Sequence, residues 1–153
     1  MRTLRTNGFT LAELIVVAAI VSLLAVVSLA VLSNLSSASA LRAGSGEVYR
    51  ALLSARASTL ASNGDTVYGV HLTTTSVTRF TGTAYVPGAA SNQVYTFERD
   101  VNATGTLAIS GADIVFERLT GTPSASGTVY VRSGSGNGTS TIIIEGSGLI
   151  ELQ

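Results

Sequence analysis

The sequence predicts an α+β fold: a long N-terminal helix, transmembrane over its first part, packed on antiparallel β-sheet. Three observations carry this expectation. Leu14 to Leu32 reads LIVVAAIVSLLAVVSLAVL, without a charge, a Gly or a Pro. Glu47 to Ser62 (EVYRALLSARASTLAS) repeats apolar residues at helical spacing. From Thr66 onward, short runs rich in Thr, Val and Ile alternate with Gly-bearing turns, the mark of short strands.

Composition narrows the function before any motif is considered. A chain of 153 residues with 46% hydrophobic and 12% charged residues has the material for one core and is not a disordered chain. Nine basic residues, all Arg, balance nine acids, so no field draws in bulk nucleic acid. Without Lys there is no phosphate loop of the Walker type and no Schiff-base chemistry. Without Cys there is no disulfide, thiolate zinc site or thiol nucleophile, and one His is too few for a typical zinc site. No cofactor, no metal and no catalytic residue are expected.

The first element is residues 1–8, a short leader carrying Arg2 and Arg5. The second, residues 9–35, holds the apolar run. As a helix its nineteen uncharged residues span roughly 28 Å, near the ~30 Å hydrocarbon core of a bilayer. The basic residues precede the run and the next charge is Arg42, so the positive-inside rule keeps the N-terminus cytoplasmic. A single-pass protein is then expected, with its C-terminal domain exported. Ala38-Ser39-Ala40 also fits the cleavage pattern of a secretory signal. Against that reading, the apolar run exceeds the usual ~7–15 residues, and Glu13 stands at an entrance where such signals favour positive charge.

The residues just before the run are more specific: Gly8-Phe9-Thr10-Leu11-Ala12-Glu13. This hexapeptide, directly ahead of an uncharged apolar helix, resembles the processing site of the type IV pilin and pseudopilin superfamily. The resemblance implies a pilin-like fold and cleavage between Gly8 and Phe9 by a prepilin peptidase. It implies methylation of the new amine at Phe9, and a Glu13 that reads the amine of an adjacent subunit during filament assembly. The implied partners are other pilin or pseudopilin subunits, the peptidase and inner-membrane lipid. Physically, an acid inside an apolar segment is expensive and usually has a partner. An amine on Phe9 would lie one helical turn from Glu13. The plainer reading is a Glu13 that reaches the interface as a solvated helix-end residue.

Residues 36–65 continue the helix beyond the apolar run. Gly44 and Gly46 each weaken it by about 1 kcal/mol, which leaves continuity open. Val48, Leu52, Ala55 and Thr59 fall on one face with Leu53 and Leu60 beside it, and Asn63-Gly64-Asp65 supplies the stop. Residues 66–153 form the β-rich part, with strands near 66–72, 77–80, 94–98, 107–109, 113–118, 127–132, 140–145 and 149–152. Pro87-Gly88, Asn102, Gly111 and the run Gly134–Gly138 are read as turns. Val48 to Leu72, Ile114 to Val131 and Thr141 to Leu152 resemble the GspH/FimT-type branch of minor pseudopilins and minor pilins. Some members of that branch carry Arg around the final Gly. Here Gly148 is followed by Leu149, Ile150 and Glu151, so strong nucleic-acid binding is not expected.

Other residues offer weaker chemistry. His71 with a Ser and an Asp satisfies the count for a catalytic triad, but no G-x-S-x-G elbow is present. Glu98, Asp100, Asp113 and Glu117 could supply a carboxylate pair, yet Glu98-Arg99-Asp100 and Glu117-Arg118 alternate charge as solvated segments do. Asn34, Asn102 and Asn137 head N-x-S/T triplets. Two functions are expected from this balance. The first is a structural minor pilin or pseudopilin subunit of a membrane-rooted filament in type II secretion or a type IV pilus. The second is an anchored or secreted β-rich binding domain outside any filament, with its signal cut after Ala40.

Overall fold

The computed structural model describes residues 9–98, 101–107, 113–134 and 138–153; for residues 26–35, 106 and 107 it describes the backbone only. The chain divides into two compact units, 1–36 and 37–153. The helix α1, Leu11–Leu60, contributes to both.

Within the second unit, α1 shows one buried stripe: Ala40, Gly44, Val48, Leu52, Ala55 and Thr59, spaced by three or four residues. Helix continues through Gly44 and Gly46. Gly44 has a packing reason to be there: a Cβ at that position would stand 3.0 Å from Val101 Cγ1 and 3.5 Å from Phe97 Cδ1. Its missing side chain lets the helix backbone approach the strands. Thr59 closes the helix. Its hydroxyl donates to Ala55 O at 2.9 Å and accepts from Tyr68 N–H at 2.9 Å, so the buried hydroxyl and the first strand satisfy each other. The stop then comes from positive φ at Ser62, Gly64 and Asp65, which turns the chain out of helix within four residues.

Eight strands follow, in two four-stranded antiparallel sheets. The first has the order β3–β2–β1–β5, built from β1 (Tyr68–Leu72), β2 (Ser76–Thr81), β3 (Gln93–Thr96) and β5 (Asp113–Val115). The second has the order β4–β6–β7–β8, from β4 (Val101–Leu107), β6 (Gly127–Ser133), β7 (Thr139–Ile144) and β8 (Ile150–Leu152). The β1–β2 turn reaches both sheets: Thr75 O accepts from Phe97 N–H, just after β3, at 2.8 Å, and Thr74 O accepts from Ala103 N–H of β4 at 3.0 Å. The core is one cluster drawn from the helix and both sheets, including Val70, Val77, Ile114, Phe116, Val129, Val131, Ile142 and Ile144. In β1, Gly69 lies opposite Phe80 of β2. A Cβ on Gly69 would stand within 2.9 Å of the Ile114 carbonyl and closer still to the Phe80 ring, so the ring occupies the room that Gly69 leaves.

Three expectations are corrected. Among the described residues no helix is long and apolar enough to cross a membrane. The single-pass placement, with a cytoplasmic N-terminus and an exported domain, is therefore withdrawn. So is the vocabulary of a transmembrane, pilus or secretion-system protein. The pilin-like fold, a long transmembrane N-terminal helix packed on sheet, is not shown either. The helix stripe that packs on strands belongs to the second unit, from Ala40 to Thr59.

A smaller difference concerns β4. Asn102 was expected as a turn and the strand near 107–109, whereas β4 covers Val101–Leu107 and residues 108 and 109 lie outside the described part. Asn102 is tolerated because it is exposed on an edge strand, while Val101 and Ala103 on either side are buried. Gly111 and residues 135–137 of the expected turns also lie outside the described residues.

Two substitutions test this packing by chemical denaturation. Gly69→Val should destabilise by about 1–3 kcal/mol, because overpacking outweighs the better strand propensity. Gly46→Ala, at a helical position with nothing within 4 Å, should stabilise by up to ~1 kcal/mol. An unchanged midpoint for Gly69→Val would refute the close strand–strand approach, and one for Gly46→Ala would refute an open helical site there.

Candidate functional site

Gly8 lies outside the described residues, so the structure speaks to the N-terminal site from Phe9 onward. Phe9 is 80% exposed and, with Thr10, precedes the helix, which starts at Leu11. Thr10 anchors the helix start: its Oγ1 accepts from Glu13 N–H at 3.3 Å, while Thr10 O accepts from Leu14 N–H at 3.2 Å. Thr10-Leu11-Ala12-Glu13 is thus a Thr-x-x-Glu helix start, with a hydroxyl satisfying an orphan N–H and an acid in the first turn against the helix dipole. This signal stood in the sequence, and the sequence reading missed it.

Beyond that start the helix surface is apolar without interruption. Leu11, Leu14, Ile15, Val16, Val17, Ile20, Val21, Leu23 and Leu24 are all more than half exposed. Ser22 hides its polarity by donating to Ala18 O at 2.7 Å. Nine large apolar side chains on a stretch of fourteen residues leave no polar face, unlike an ordinary surface helix. Such a surface calls for a cover.

The β-rich part holds the remaining candidates. His71 on β1 faces Asp113 on β5 in register, with Nδ1 and Oδ1 2.5 Å apart. The His71 ring stacks on Tyr85 at 3.9 Å, and Tyr85 N–H donates to the other Asp113 oxygen at 3.4 Å. Tyr85 belongs to the loop between β2 and β3. The imidazole and carboxylate are therefore spent on clasping that loop to the sheet, a structural use of a pair that a triad would also need. Glu117 accepts from the Thr122 hydroxyl at 2.8 Å, and Asp65 pairs with Arg118 at 2.6 Å. Asp100 lies outside the described residues. Among the described residues no three His, Asp or Glu side chains gather as a metal site.

The tail at Gly148 does have a base beside it, which the sequence order concealed. Arg56 of α1 donates from Nε to Gly121 O at 3.2 Å, and a Cβ on Gly148 would stand 2.8 Å from the same nitrogen. Gly121 and Gly148 both have positive φ. The helix, the β5–β6 loop and the β7–β8 turn meet at this guanidinium, which serves as a strut.

No protein-family model matches the chain, and neither a curated protein nor a solved structure does.

The helix start yields a local prediction. Thr10→Ala should cost about 0.5–2 kcal/mol of local helix stability, read as faster amide hydrogen exchange at residues 11–14 with 45–60 unchanged. Unaltered exchange at 11–14 would remove Thr10 from the cap.

Proposed function

We propose that the chain is a structural subunit of a pilin-type filament, a minor pilin or pseudopilin. In this reading a prepilin peptidase cuts between Gly8 and Phe9 and methylates Phe9, and the N-terminal helix then joins other pilin-like subunits. The observation that carries it is one conjunction: the GFTLAE hexapeptide runs into the first turn of a helix whose apolar surface is exposed from Leu11 to Leu24. Covering such side chains is worth about 1.5–3 kcal/mol each, and neighbouring helices of the same kind can cover one that is apolar all round. Glu13, exposed in the first turn, offers a carboxylate to a neighbour's Phe9 amine.

Further support comes from what the rest of the chain is used for. His71 and Asp113 clasp a loop and Arg56 braces two turns, so the groups best suited to chemistry already have structural work. The alternative, a secretory signal cut after Ala40, fits less well. Ala38 to Ala40 lie within α1, and Ala40 is buried in the core of the second unit, so that cut would take a core residue with it.

The test separates charge from capping. Glu13→Gln retains a residue suited to the Thr10 helix start and removes the charge. If a neighbour's amine is read, Glu13→Ala should lose co-isolation with other pilin-like subunits and Glu13→Gln should be intermediate. Thr10→Ala should assemble at near wild-type level. Undiminished co-isolation of Glu13→Ala would reduce the acid to a helix-start residue. Processing is checked by mass: Gly8→Val should keep residues 1–8 attached in the presence of the peptidase, and a normal mature mass in that variant would remove the cleavage claim.

A further inference from the structure

Between α1 and the outer strands of the first sheet lies a cleft of about 360 Å³. The helix lines it with Glu47, Arg50, Ala51 and Ser54, and β2–β3 with Val77, Arg79 and Gln93 to Tyr95. Its charge is unbalanced, with two guanidinium groups against one carboxylate. Arg50 and Glu47 pair at 3.0 Å, which leaves Arg79 without an ion pair among the described residues. Arg79 is half-buried and held in place from three sides. Nη1 donates to Gln93 Oε1 at 3.1 Å, Nη2 donates to Ser58 Oγ at 2.7 Å, and the guanidinium carbon sits 4.6 Å from the centre of the Tyr68 ring. Nε is enclosed and has no hydrogen-bond partner. A half-buried cation with only neutral acceptors and one orphan donor is a costly arrangement, and an anion relieves it.

We propose that this cleft binds a carboxylate, supplied by an acidic side chain on an extended peptide strand. The carboxylate is the anion whose two oxygens match the guanidinium fork. The strand follows from where the cleft opens. Among the described residues β3 is an edge strand, paired with β2 alone, and its other side can accept one more strand beside the cleft. Gln93 and Tyr95 lie on that strand in register with Arg79 and Val77. An added strand thus sets its alternate side chains over the same row. Apolar residues two positions from the acid meet Val77, Ala51 and Tyr95, and the acid meets Arg79 and Arg50.

The experiment uses the full 15N-labelled chain in detergent micelles and reads the Arg79 Nε–H resonance with the amides of residues 93–96. Three probes are titrated: an acetylated, amidated hexapeptide with the sequence of residues 148–153 (GSGLIELQ without its first two residues), its Glu151→Gln counterpart, and sodium acetate. That hexapeptide is chosen because its acid, Glu151, shares a strand face with the apolar Leu149 two residues before it, in a sequence whose residues 150–152 form strand β8. The acidic peptide should move both sets of signals, with a Kd at least about tenfold tighter than the Gln counterpart. Arg79→Met should abolish the difference between the two peptides. If that variant does not fold, Arg79→Lys, which keeps the charge and loses the fork, should narrow it. Acetate acting on Arg79 at the same concentration as the peptide would overturn the strand. An Arg79 signal indifferent to all three probes would overturn the site.

Discussion

The unit from residue 37 onward depends on how closely one helix face approaches two sheets. Ala40 and Gly44 begin that face and Ala55 and Thr59 end it, so the helix backbone lies near the strands at both ends, with Val48 and Leu52 filling the space between. Near Gly44 the helix meets Val101 and Val131 of the second sheet, with Phe97 just after β3 beside them. At Thr59 it meets the first strand of the first sheet through a hydrogen bond. A single stripe therefore organises both sheets, and Thr74 O of the β1–β2 turn bonds one to the other by accepting from Ala103 N–H of β4. Small residues are what make this possible, since a helix held off by larger side chains could not touch both.

The polar groups follow from that packing. Strands that converge on one helix leave loops at their ends, and these loops are fastened by the few charged residues the chain has. Arg56 takes the β5–β6 loop and the glycine turn before β8. His71 and Asp113 take the β2–β3 loop through Tyr85. Asp65 and Arg118 tie the end of the helix to the segment after β5. A chain with few charges spends them on such fastenings, and among the described residues Arg79 stands out because its Nε is buried without a hydrogen-bond partner.

The N-terminal unit obeys a different logic. Its helix start is complete in itself through Thr10 and Glu13, but its apolar surface is not satisfied within the chain. The buried core lies in residues 40–150 and needs nothing from residues 9–25, whose side chains are exposed. This separation lets one part of the chain specialise in association while the other folds around its own core, as the proposed filament subunit requires.

The sequence by itself determined the local elements whose cause is local. The buried face of Val48, Leu52, Ala55 and Thr59 was readable from its spacing, and the helix stop at Asn63-Gly64-Asp65 from turn chemistry. Most strands were readable from short β-branched runs between Gly-bearing turns. The hexapeptide before the apolar run was readable too, although its capping role was passed over in favour of its charge. Tertiary structure decided what depends on partners distant in the chain. Helix through Gly44 survives because the glycine buys close approach to Val101, a gain invisible to propensity. Asn102 became strand because β6 pairs with all of β4, and an edge strand tolerates a polar residue facing solvent. The placing of β5 on β1 and of β4 on β6, Asp113 beside His71 and Arg56 beside Gly148 all come from pairings across 20 residues or more. No spacing rule reaches that far, because only the folded core brings those residues within hydrogen-bonding distance.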